Sequence, residues 1–168
     1  AIIAMKKSKK WPRPEYTNRD GTVWEDHQIK EFWDKMGLYS RNRGTWMHYN
    51  IERYFNGLDI YHDLPEMKQF LSFYDEYIIA NEIQPYRTEW RICAPELSLA
   101  GSVDFVGRLH DGTYVIIDWK RSKKLQDQKP NFFTKNMKAP LSHLDDSDTL
   151  KYYLQLNIYR YLLQKYYH

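Results

Sequence analysis

The sequence predicts an α+β domain with a small central mixed sheet, an antiparallel hairpin meander flanked by helices. Three observations predict it. Apolar residues recur at helical spacing through the first half, the period changes to two between residues 86 and 120, and a helical pattern returns from residue 149. At 168 residues and 42% hydrophobic composition, the chain suffices for one domain that buries roughly two thirds of its unfolded surface. That excludes disorder for the bulk of it.

Residues 1–20 hold Lys6, Lys7, Lys9 and Lys10 followed by Trp11, Pro12 and Pro14, with neither a helical nor an alternating pattern, and read as a flexible basic arm preceding a domain over 21–168. From Val23 to Met36, Trp24, Ile29, Phe32 and Trp33 keep helical spacing, and Gly37 reads as the stop. Ser40 to Gly44 is a polar, basic break, after which Thr45 caps a second helix to Phe55, ended by Asn56-Gly57. Pro65 and Glu66 open a third helix to about Ala80. Strands follow over 86–93, 102–109 and 114–120, the last two joined by the turn His110-Asp111-Gly112-Thr113. Residues 121–148 show no sustained period and form a long loop. Thr149 opens the final helix, with Asp145, Asp146 and Asp148 supplying acids at its start.

Composition narrows the function classes. A net charge of +3 is too small to mark a nucleic-acid binder by itself. The single Cys93 excludes an internal disulfide framework, a cysteine-based zinc finger and a four-cysteine iron–sulfur cluster, and suits an intracellular location. No apolar run is long enough to span a bilayer, so no membrane association is expected.

Strand alternation places Tyr114, Ile116, Asp118 and Lys120 on one face, with Asp118 and Lys120 roughly 6.6 Å apart along the chain. Asp104 lies in the strand that folds back beside them, with Val103 and Phe105 directed to the opposite face. Two carboxylates from adjacent strands, with a lysine beyond, make a hard oxygen site for a divalent cation and a positive group for an anionic substrate. An Asp and a Lys two apart are also an ordinary solvated ion pair. The apolar run Val115-Ile116-Ile117 favours the site, because charges emerging from a buried strand need partners or metal. His48 alone fits a surface or core histidine as well as a ligand, and Glu52 lies one turn later on the same face. Gln155 and Tyr159, four apart on the last helix, alone fit a polar residue beside a packed tyrosine.

Together, Gly44-Thr45-Trp46-Met47-His48, Gly101-Ser102-Val103-Asp104, Asp118-Trp119-Lys120 and Gln155-Leu156-Asn157-Ile158-Tyr159 resemble the PD-(D/E)xK nucleases. The order G-x-x-x-H, G-x-x-D, D/E-x-K, Q-x-x-x-Y matches the RecB-like branch, which includes nuclease domains of bacterial recombination complexes, CRISPR-associated adaptation nucleases and mitochondrial genome-maintenance exonucleases. The resemblance covers residues 40–165 and implies a restriction-endonuclease-like fold. It also implies that His48, Asp104, Asp118 and the Trp119 carbonyl hold one or two Mg²⁺ or Mn²⁺ ions, with no iron–sulfur cluster. Asp104, Asp118, Lys120, Gln155 and Tyr159 become the catalytic set and Glu52 a possible orienting residue. Two features depart from the pattern: Val103 stands where the signature has proline, and the chain stops at His168, where the family continues into a further strand. The expectation is a domain joined to or assembled with a larger replication or recombination protein, or completed by its own N-terminal segment or a second copy.

Between Lys120 and Lys138 seven Lys and Arg face one Asp, with Phe132 and Phe133 among them. Cations follow phosphates and aromatic faces stack on unpaired bases, so Arg121, Lys123, Lys124, Lys129, Phe132, Phe133 and Lys135 are the candidate nucleic-acid contacts; a solvated loop is the alternative. The expected activity is metal-dependent hydrolysis of DNA phosphodiesters, by an exonuclease or flap and end-processing nuclease acting on single strands or ends. The alternatives are a cap-snatching-like RNA endonuclease, whose site uses similar residues, and a noncatalytic nucleic-acid-binding module.

Overall fold

A computed structural model describes residues 1–122 and 135–167. The elements run α1 (Ile2–Lys6), α2 (Asp26–Phe55), α3 (Pro65–Phe73), a π-helical turn (Tyr74–Ile79), β1 (Gln84–Ala94), β2 (Leu99–Arg108), β3 (Tyr114–Ile117) and α4 (Asp148–Tyr166). The α+β class stands, and the described sheet is antiparallel throughout, in the order β1-β2-β3, where a mixed sheet was expected. The chain divides into two compact units, residues 1–46 and 47–168, and the division falls within α2.

In the first unit, the residues read as a basic arm carry α1, a 3₁₀ turn at Pro14–Tyr16 and the buried Tyr16. Tyr16 meets Trp11, Trp24, Phe32 and Trp33, and its hydroxyl accepts from Trp33 Nε1 at 2.9 Å. Rings at edge-to-face angles add attraction beyond the area they bury. The expected stop at Gly37, the break at 40–44 and the cap at Thr45 are all overturned, because α2 runs unbroken for 30 residues. A helical glycine costs about 1 kcal/mol against alanine, which weakens a helix without ending it, and no proline interrupts the ladder.

The second unit packs both faces of the sheet. Ile92, Ala94, Val103 and Val106 meet Leu162 and Leu163 of α4, with Ile116 against the same cluster. Phe105, Val115 and Ile117 pack instead with Ile78, Ile83 and Phe73. Alternation in β3 therefore separates two apolar layers. A third cluster joins Met47 and Ile51 of α2 to Met67 and Phe70 of α3, with Trp119 against it. The β2–β3 turn forms at the expected residues: Leu109 N–H donates to the Thr113 carbonyl, Asp111 accepts from Thr113 N–H, and Gly112 takes φ +86°, open to glycine without cost. β3 ends at Ile117, three residues earlier than expected, so Asp118-Trp119-Lys120 leaves the sheet as irregular chain. Helix α4 starts one residue early, with Ser147 as its cap accepting from Leu150 N–H. Tyr167, just past its end, fixes the helix to β1 by accepting from Cys93 N–H at 2.7 Å.

Candidate active site

Besides a register shift between Pro85 and Arg87, regular alternation fails where Glu89 faces Asp104, and the carboxylates gather there. Val103 and Val106, three residues apart, belong to one apolar layer while Phe105 belongs to the other, so Val103 and Phe105 do not share a face as expected. Across the pair, Thr88 faces Phe105 and Trp90 faces Val103, which leaves Glu89 opposite Asp104. Glu89 has φ +45°. A non-glycine residue in that region costs of the order of 1–3 kcal/mol and persists where its surroundings hold it. The kink turns both carboxylates toward α2.

His48 of α2 receives them. Its Nδ1 lies 3.4 Å from Asp104 Oδ2 and 3.5 Å from Glu89 Oε1. Ligand atoms of His48, Glu89 and Asp104 all fall within 4.8 Å of one another. Asp104 is buried and also accepts from Trp119 N–H at 2.7 Å, which fixes its carboxylate, while Ser102 Oγ donates to Glu89 Oε2 at 3.2 Å. The hydrogen bonds to Asp104 and then to Glu89 outweigh desolvation and push His48 up to about 10. Two carboxylates held this close to one imidazole need a cation among them, and without a metal the imidazolium supplies it.

Asp118 and Lys120 form the adjoining pair. Lys120 Nζ lies 2.6 Å from Asp118 Oδ2 and 5.2 Å from the Tyr152 ring centre, and the Asp118 side chain is only 5% exposed. Burial pushes the Asp118 carboxyl upward, assisted by the negative charge of Asp104 and opposed by Lys120 and His48. Gln155 Nε2 reaches Asp118 Oδ1 at 3.5 Å and donates to the Tyr159 hydroxyl at 2.9 Å. Tyr159 in turn packs against Gly101, where a Cβ would stand 2.6 Å from Cε1 of the ring. Only glycine permits that approach. A contiguous chain of contacts thus runs from Gly101 through Tyr159, Gln155 and Asp118 to Lys120.

The structure therefore brings together His48, Asp104, Asp118, Lys120, Gln155 and Tyr159. The Trp119 amide serves Asp104, while its partly buried ring packs edge-on against Phe70 and Phe73. Glu52 is half-buried, and its carboxylate makes no hydrogen bond or ion pair among the described residues. Arg121 Nε binds Glu66 Oε1 at 2.6 Å, and Lys135 is exposed in the segment that pairs Asn136 with Asp145. Lys123, Lys124, Lys129, Phe132 and Phe133 lie outside the described residues. Glu89 is the residue that sequence reasoning missed. The expected strand bounds concealed it: aligning 86–93 end to end with 102–109 sets Arg91 opposite Asp104, and only the observed register, with Thr88 facing Phe105 and Trp90 facing Val103, brings Glu89 there.

A match to the family model of the PD-(D/E)XK nuclease superfamily spans residues 8–168. The chain belongs to this superfamily. No curated protein and no solved structure matches it significantly. Nucleases of the PD-(D/E)XK superfamily act on nucleic acid with divalent metals, and the donor set of this member fits one. Carboxylate oxygens suit Mg²⁺ and Mn²⁺, and one imidazole among them favours a metal that also accepts nitrogen. Among the described residues, no helix is long and apolar enough to cross a membrane.

Proposed function

We propose that this chain is a Mg²⁺- or Mn²⁺-dependent deoxyribonuclease of the RecB-like branch, acting as an exonuclease or end-processing nuclease on single-stranded DNA or DNA ends. The observation that carries this reading is the meeting of four separated motifs: His48, Asp104, the Asp118–Lys120 pair and the Gln155–Tyr159 pair, linked by contacts of 2.6 to 3.5 Å. A divalent cation bound there lowers the pKa of a coordinated water and offsets charge on the scissile phosphate. His48, Glu89 and Asp104 would hold one ion, with Asp118 and the Trp119 carbonyl available to complete the set or to serve a second.

Each remaining residue has a separate task. His48 gives up its proton as a ligand, because only the neutral imidazole has a free lone pair. Lys120, held by Asp118 and the Tyr152 face, donates to a phosphate oxygen as negative charge develops. Gln155 fixes the rotamer of Asp118, and Tyr159 fixes Gln155 against the strand at Gly101. Trp119 N–H donates to Asp104 Oδ2, the same oxygen that faces His48, and so fixes the carboxylate's orientation in the site.

End-labelled single-stranded, duplex and flapped DNA, with matched RNA, digested in Mg²⁺ or Mn²⁺, tests this reading. Release of nucleotides from single strands or flaps, abolished by chelation, is the expected result. Preferential cleavage of RNA would replace it with a cap-snatching-like endonuclease, and metal-independent binding without cleavage of any strand would replace it with a noncatalytic module.

A further inference from the structure

The face of the sheet that carries α4 continues, toward the β2–β3 turn, into a patch that no apolar side chain covers among the described residues. Tyr86 and Tyr114 are 45% and 51% exposed, with ring centres 5.1 Å apart at 68°. Tyr86 also meets Trp90 edge-on at 6.1 Å. The Arg87 guanidinium lies over both Tyr86 and Trp90, at 5.5 and 5.9 Å, and that of Arg108 lies over Tyr114 at 6.0 Å. Both arginines are exposed, and among the described residues neither pairs with a carboxylate.

An apolar protein segment laid on this face would bury two guanidinium groups without anions, at a cost of several kcal/mol per ion. The fitting occupant carries anions at regular spacing and flat faces between them. Single-stranded nucleic acid does: guanidiniums take the phosphates bidentately and tyrosine rings take the bases. Arg108 follows Asp104 by four residues in β2, roughly 13 Å along the strand.

We propose that Tyr86, Arg87, Trp90, Arg108 and Tyr114 form a track for the single-stranded part of the substrate, beyond the cleaved bond; this rests on the nuclease reading above. Specificity follows from the chemistry: the track favours unpaired over paired bases and has no edge-reading contact to distinguish sequences.

The test measures binding of fluorescent oligothymidylate to the full chain with chelator present, across a salt series. Arg87→Gln with Arg108→Gln should reduce the log–log salt slope by about 1.4, two single-strand phosphate contacts. Tyr86→Ala with Tyr114→Ala should weaken binding at least about fivefold for each base unstacked. Lys at both arginines should restore most of the slope, and Phe at both tyrosines most of the affinity. Unchanged affinity and slope in both double variants overturn the proposal. So does a lowered melting temperature or altered sedimentation with DNA affinity intact, which would assign the face to protein packing. Cleavage by the wild-type chain is scored separately: absent cleavage with the expected binding losses would refute the nuclease reading while leaving the track, and normal cleavage with no binding loss would do the reverse.

Discussion

The two units of this chain bury different things. Residues 1–46 enclose Tyr16 among four other rings, and its one polar atom meets Trp33. Residues 47–168 enclose, beside ordinary apolar layers, a histidine and three carboxylates from α2, β1, β2 and the segment after β3. Rings gather because their transfer from water is favourable. Carboxylates do not, and each one costs free energy that its partners must offset. Stability explains the first arrangement; in the second the His48 imidazolium offsets the carboxylates, and the proposed metal site is what gives the cluster a use.

The comparison breaks most sharply at Asp118 and Lys120. Replacing either with Ala should lower cleavage about a hundred- to a thousandfold, a loss typical of removing a group that stabilises developing charge, with circular dichroism unchanged. Undiminished cleavage in either variant would return the pair to an ordinary ion pair. Next is Tyr16→Ala, which should cost about 3 kcal/mol of stability by denaturant titration, as for other buried rings, without altering Mn²⁺ affinity by calorimetry. A fall in metal affinity would show that the two kinds of burial are coupled. Glu89→Gln keeps the shape and removes one charge, so Mn²⁺ affinity should fall about ten- to a hundredfold.

The smallest effect is a pH dependence. His48 is raised to about 10 in the metal-free protein, so metal displaces a proton throughout the neutral range. Mn²⁺ affinity should therefore rise by up to about tenfold per pH unit from pH 6 to 8. Without metal, the pairing of His48 with Asp104 and Glu89 contributes stability that is complete below the unfolded pKa of about 6.5 and is lost as pH rises through about 10.

Much of the second unit was legible because periodicity reports burial. The apolar run Val115-Ile116-Ile117 and the turn His110-Asp111-Gly112-Thr113 placed β2 and β3, and motif spacing placed His48, Asp104, Asp118 and Lys120. Two things were not legible. The single helix α2 was divided in the reading because Gly37 and the polar run to Gly44 look like breaks, whereas a solvated helix tolerates both. Glu89 was overlooked because its role depends on pairing across β1 and β2 and on a left-handed backbone that no local pattern announces. The two motif glycines also differ: Gly101 is required by the Tyr159 ring, while a Cβ at Gly44 meets nothing within 4 Å, and nothing in the structure explains it.

The central claim is that burial of these carboxylates serves a metal that cleaves phosphodiesters. Anomalous scattering from crystals of the chain soaked in Mn²⁺ tests it most directly. The expected result is a peak bounded by His48, Glu89 and Asp104, with Asp118 at its margin. A Mn²⁺ peak elsewhere, with His48 still bridging Asp104 and Glu89 at saturating metal, would contradict it.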